Sequence, residues 1–115
     1  MKVFALAAFG VLTAGAAVAQ TAAPGPTLTT IRERGAVTCG AHPGAPGFSV
    51  LDSQGVTRGL DADTCRAIAA AVLGDPGKAR FTIVSSQARL PALQSGQIDV
   101  LPRTTTWTQT RDTAN

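Results

Sequence analysis

The 115-residue sequence predicts an α/β domain, a parallel sheet with flanking helices. Three observations carry that prediction. Apolar strand-like runs alternate with helical patterns in the order strand, helix, strand, helix, strand. The segment "LDADTCRAIAAAVLGDP" places Cys65, Ile68, Ala69 and Val72 at i, i+3, i+4 and i+7, one apolar helix face. Glycine closes each predicted helix, at Gly35, Gly74 and Gly96.

The N-terminus predicts export. Lys2 precedes the apolar run "VFALAAFGVL", and small residues follow down to "AVAQ". A charged start, a short apolar stretch and the A-x-A site Ala17, Val18, Ala19 predict a signal peptide over 1–19, cleaved after Ala19, with Gln20 as the first mature residue. The run is short for a bilayer span. No cysteine follows it, so no lipid anchor is expected. Residues 20–26 read as a flexible leader, because Pro24, Gly25 and Pro26 resist regular structure. Residues 27–115 are then one small domain.

Within that domain, "TLTTIRERG" predicts a short helix capped by Thr27 or Thr29 and closed by Gly35. "AVTCG" is a short apolar strand. "GFSVLDSQGVTRG" reads as a hairpin turning at Asp52, Ser53, Gln54 and Gly55. The main helix starts at Asp61 or Asp63 and stops at Gly74, with Pro76 preventing continuation. "RFTIV" is the next strand. "SQARLPALQSG" is a second helix begun by Ser85 or Ser86, with Pro91 tolerated in its first turn. "IDVLP" is a third buried strand. Ligands on such sheets bind at the carboxyl ends of strands, where the strand order switches. That rule draws attention to "PRTTTWTQTRD", which follows the third strand directly.

Composition narrows the function. The net charge of +3 includes Lys2, and no basic cluster is interleaved with aromatics, so no nucleic acid is expected. No zinc motif, P-loop, nucleophile elbow or dinucleotide fingerprint is present, so no metal, cofactor or catalytic residue is assigned. Cys39 and Cys65 are an even pair in an exported chain, which favours a disulfide closing a loop of about 25 residues and contributing about 3 kcal/mol. Two separate buried thiols are the other reading. His42, the single histidine, has no orienting partner in sequence and reads as a loop residue.

In the threonine-rich segment, Thr108 is placed to cap a helix beginning at Gln109, with Arg111 in its first turn. The Arg111 guanidinium matches a carboxylate bidentately. The hydroxyls of Thr104 and Thr106 accept from an ammonium or donate to a carboxylate. Together these groups suit a zwitterion. The plainer reading makes Thr108 only a cap, Arg111 a surface charge and Trp107 a packing residue.

"GLDADTCRAIAAAVLGDPGKARF", "LPALQSGQIDVL" and "TTTWTQTRD" together resemble family 3 of the bacterial extracellular solute-binding proteins, over about residues 27–114 and with greatest similarity to its general L-amino-acid-binding branch. The resemblance implies a periplasmic-binding-protein-like fold of two α/β lobes, of which this sequence holds the first part of lobe one only. It implies a truncated receptor lacking the second lobe. It also implies a non-enzymatic periplasmic component of an ABC importer, whose partners are a polar or acidic L-amino acid and a permease in the inner membrane. Position by position, Arg111 matches the family's arginine for the ligand α-carboxylate and Thr106 the hydroxyl beside it. Thr104 stands where the branch carries asparagine. Arg89 matches a position that relatives selective for acidic amino acids use near the ligand side chain. Cys39 and Cys65 sit where the branch carries cysteines, which implies the bridge. The family's acidic signature is met at Gly59, Leu60, Asp61 and Asp63 and missed at Ala62 and Thr64. Pro102 and Thr104 replace serine and asparagine around Arg103, and His42 and Ala45 stand where relatives place an acid and an aromatic. Two alternatives share the architecture: an exported cyclohexadienyl or arogenate dehydratase, and a sensory module of a larger protein.

Overall fold

The computed structural model describes residues 23–114, so the expected signal peptide over 1–19 and residues 20–22 of the leader lie outside the described residues. Helix α1 (Pro26–Arg34) starts with Pro at its first position and Gly25 as its cap residue, not with Thr27 or Thr29. The Thr29 amide donates to the Gly25 carbonyl at 3.1 Å, and the Thr29 hydroxyl bonds back to the same carbonyl. Proline has no amide hydrogen to orphan at a helix start and already holds the right φ, so it displaces the threonine cap. Gly35 ends the helix in the left-handed region, its N–H on the Ile31 carbonyl.

Strand β1 (Val37–Ala41) is nearly all buried. A small antiparallel sheet follows, β2 (Gly44–Ala45), β3 (Ser49–Leu51) and β4 (Thr57–Arg58), in that spatial order. The predicted turn closes it, with the Asp52 carboxylate accepting the Gln54 amide at 2.9 Å and the Val56 amide at 2.8 Å. Helix α2 (Leu60–Leu73) begins after Gly59; Asp61 and Asp63 lie in its first turn and cap nothing. Its leading amides find partners in the preceding loop instead, Leu60 on the Gly47 carbonyl and Asp61 on the Phe48 carbonyl. Gly74 closes it as expected, and Pro76 enters a short 3-10 turn, Pro76–Lys78.

Strand β5 (Ala79–Ile83) pairs parallel with β1, from Val37 opposite Ala79 to Ala41 opposite Ile83. Helix α3 (Arg89–Gln94) comes next, preceded by a turn in which Ser85 accepts the Ala88 amide on its hydroxyl and the Arg89 amide on its carbonyl. The expected third strand is reduced to one parallel bridge, Cys39 to Val100. The Gly40 amide donates to the Val100 carbonyl at 3.0 Å and the Asp99 amide to the Thr38 carbonyl at 2.8 Å. The ladder stops there because Pro102 has no N–H to continue it. Helix α4 (Gln109–Ala114) ends the described chain.

β1 therefore lies between β5 on one side and Val100 on the other. Beside it, Ile31, Val37, Cys39, Cys65 and Ala69 form the main buried cluster, with Phe81 and Val100 packed against it. The Cys39–Cys65 disulfide runs through this cluster and ties β1 to α2. Arg66 adds a second tie, donating to the Thr57 carbonyl at 2.6 Å and lying over the Phe81 ring. Asp99 accepts the Thr38 amide at 2.7 Å and pairs with Arg34, which joins α1 to the bridge segment. A second cluster of Val84, Ala92 and Ile98 sits under α3 with Leu101 against it. Among the described residues no helix is long and apolar enough to cross a membrane.

Candidate functional site

The chain leaves β1, visits β5 on one side and returns to Val100 on the other, so the strand order switches at β1. Three segments meet at the carboxyl ends there: His42 after β1, Ser85 and Ser86 after β5, and Arg103 to Thr106 after the Val100 bridge. Asp61 in the first turn of α2 joins them, since it lies close enough to His42 and Arg103 to feel their charge. This is the crevice that parallel sheets offer to ligands.

Arg111 and Thr106 are brought together. The Arg111 guanidinium donates to the Thr106 carbonyl at 2.6 Å, which fixes the head group beside the threonine. Thr108 caps α4 as expected, its hydroxyl accepting the Arg111 amide at 3.3 Å. α4 is only six residues long, so the guanidinium and not the helix carries the local positive charge. Arg89, in the first turn of α3, reaches the Thr104 carbonyl at 3.4 Å. The four residues assigned from the sequence thus form two pairs, Arg111 with Thr106 and Arg89 with Thr104. In both pairs the arginine uses the threonine carbonyl.

Arg103, given no role in the sequence reading, is at the centre of the site. It is 8% exposed and donates to the Ser85 carbonyl at 3.0 Å, with the Ser86 hydroxyl at 3.5 Å. Burial lowers its pKa, the nearby Arg89 lowers it further, and Asp61 opposes both. Burial raises the Asp61 pKa, with attraction to His42 and Arg103 working against it. His42 accepts the Gly44 amide on Nδ1 at 2.9 Å, and its carbonyl accepts the Ser49 hydroxyl, so it is anchored in its loop. No local sequence signal marks Arg103, because its partners lie in the turn around Ser85, eighteen positions earlier.

Trp107 does not pack against the described residues and is 82% exposed. A groove of about 490 Å³ lies elsewhere, between the small sheet and the outer edge of β5, lined by Leu51, Val56, Thr57, Arg66, Phe81 and Ile83. Its polar lining is Thr57, Arg66 and Arg80, and it is remote in sequence from the threonine-rich segment.

With this geometry in view, comparison with known proteins is decisive about ancestry. The family described as bacterial extracellular solute-binding proteins, family 3, matches residues 37–114. The chain belongs to that family. It is 48% identical over 98 residues to the general L-amino acid-binding periplasmic protein AapJ of Rhizobium johnstonii, covering 85% of this chain and 29% of that protein. It is 44% identical over 110 residues to the glutamate/glutamine/aspartate/asparagine-binding protein BztA of Rhodobacter capsulatus, covering 96% of this chain and 31% of that protein. Among solved structures, a periplasmic binding protein from Brucella ovis with glutathione bound superimposes with a TM-score of 0.74 at 45% identity, over 76% of this chain and 27% of that one. The chain spans about a third of the length of the curated relatives it matches. The α/β fold with a parallel sheet and flanking helices is the one shared with these binding proteins.

Proposed function

We propose that this chain supplies the ligand-contacting part of lobe one in a periplasmic, non-enzymatic binding component of an amino-acid ABC importer. Arg111 binds the ligand α-carboxylate through its guanidinium fork, and the Thr106 hydroxyl donates to the same group. Thr104 lies along the ligand, and Arg89 faces its side chain, which favours polar or acidic L-amino acids. A permease in the inner membrane is the partner that receives the ligand. The observation that supports this reading is the hydrogen bond from the Arg111 guanidinium to the Thr106 carbonyl, on the segment that follows the Val100 bridge. The printed names of the relatives, an L-amino acid-binding and a glutamate/glutamine/aspartate/asparagine-binding protein, support the ligand class.

The test is calorimetric titration of the protein with an amino-acid panel. Arg111→Ala is expected to lower affinity about 100-fold, the loss of a charge-assisted bidentate contact worth about 3 kcal/mol. Affinity within twofold of wild type would sink the carboxylate assignment.

A further inference from the structure

Among the described residues, the buried side-chain polar atoms without a hydrogen-bond partner are Asp61 Oδ2, Arg103 Nε and Thr105 Oγ1. They belong to one neighbourhood: Thr105 is two residues from Arg103, and Asp61 and Arg103 each feel the other's charge. Buried polar atoms are nearly always paired, so a concentration of unpaired ones marks a place held for a reason other than stability.

The cause is visible in how two segments are crossed. Arg103, on the segment after Val100, reaches eighteen positions back to the Ser85 carbonyl and the Ser86 hydroxyl. Arg89, four residues beyond Ser85, reaches the opposite way to the Thr104 carbonyl. Two arginines therefore strap the same pair of segments in opposite senses. Bringing two guanidinium groups close, one of them nine-tenths buried, is unfavourable by desolvation and by like-charge repulsion. An apolar side chain would fill the volume of Arg103 without either cost. What it would not do is hold the Ser85 carbonyl from the far segment.

We propose that Arg103 is a positioning residue of the binding site: it pins the 102–106 segment to the Ser85 and Ser86 turn, so that Thr104 and Thr106 are preorganised for the ligand. The proposal rests on the amino-acid-binding reading for its consequence, and on the crossed hydrogen bonds for its mechanism. Preorganised contacts bind more tightly because less ordering is left to be done on association.

The experiment compares Arg103→Met and Arg103→Lys with wild type in the full chain. Amide hydrogen exchange is measured without ligand, and affinity for L-glutamate and L-glutamine by calorimetry. In the Met variant, exchange should rise about tenfold or more in residues 103–106 and in the Ser85 turn together, while α2 keeps its protection; affinity should fall about tenfold. Lysine keeps the charge without the fork, so it should restore part of the affinity and little of the protection at Ser85. Unchanged exchange in both segments, or a rise spread evenly over the domain, overturns the pinning. Affinity within twofold of wild type, with exchange raised as expected, overturns the role in binding. If wild type binds neither amino acid, the function reading fails, and exchange in the unliganded protein still decides the pinning. Should the Met variant not fold, the Lys variant decides by the same measurements.

Discussion

Asp61 and Asp52 are carboxylates of opposite temper. Burial raises the Asp61 pKa, an effect that His42 and Arg103 only partly offset. The folded state thus holds this proton more tightly than the unfolded chain does. Its contribution to stability is present below the ordinary carboxylate value of about 3.9 and is lost as pH rises through the elevated folded value. Asp61→Asn removes that dependence. The difference in melting temperature between variant and wild type should therefore grow in favour of the variant between about pH 3 and pH 6; a difference constant across that range would show that Asp61 does not titrate as described. Asp52 runs the other way. The Val56 amide and then the Arg58 side chain lower its pKa, so its support for the hairpin is lost as pH falls. One acid serves a turn; the other is kept beside Arg103 at a cost in stability.

At the scale of elements, Gly59 decides how α2 meets the small sheet. Its φ of +117° is closed to most side chains, and an added Cβ would collide with the Phe48 carbonyl, which also receives the Asp61 amide. Gly59→Ala should cost about 3 kcal/mol or more, from backbone strain together with displacement of that loop, read as a large drop in thermal stability. A change within about 0.5 kcal/mol, the ordinary range for surface substitutions, would show that the loop yields freely. The same junction shows what sequence can and cannot disclose. α2 was legible because its apolar residues repeat at helical spacing and Gly74 closes it. Its start was misplaced by the two aspartates, since the partners of its first amides are carbonyls of Gly47 and Phe48, a dozen residues earlier. Arg111, Thr106 and Thr104 were singled out by the rule for parallel sheets and Arg89 by the family resemblance, and their part in binding is the proposal made above. Arg103 was not, because its meaning depends on Ser85, and no local pattern around "LPRT" encodes a partner eighteen residues away. The third strand shortened to a bridge for a local reason: the proline that follows it ends the ladder. Trp107 was read as packing because large aromatics usually are, yet nothing among the described residues covers it.

For the whole molecule, the Cys39–Cys65 bridge joins the middle strand of the sheet to its longest helix across 26 positions. Both sulfurs lie in the main cluster beside Val37 and Ala69. Reduction should lower stability by about 3 kcal/mol, followed by denaturant titration with and without reductant, while non-reducing peptide mapping recovers the two cysteines in one linked pair. Two alkylatable thiols in the oxidised, unfolded protein would refute the bridge. The location of that cross-link also makes folding a matter of timing. A chain whose cysteines stay reduced, as they do in a cytosol, lacks the staple between β1 and α2 and holds its small core only loosely. Once Cys39 and Cys65 are oxidised, the strand carrying the crevice is locked to the helix behind it, so the redox conditions the chain meets set how firmly its core is held.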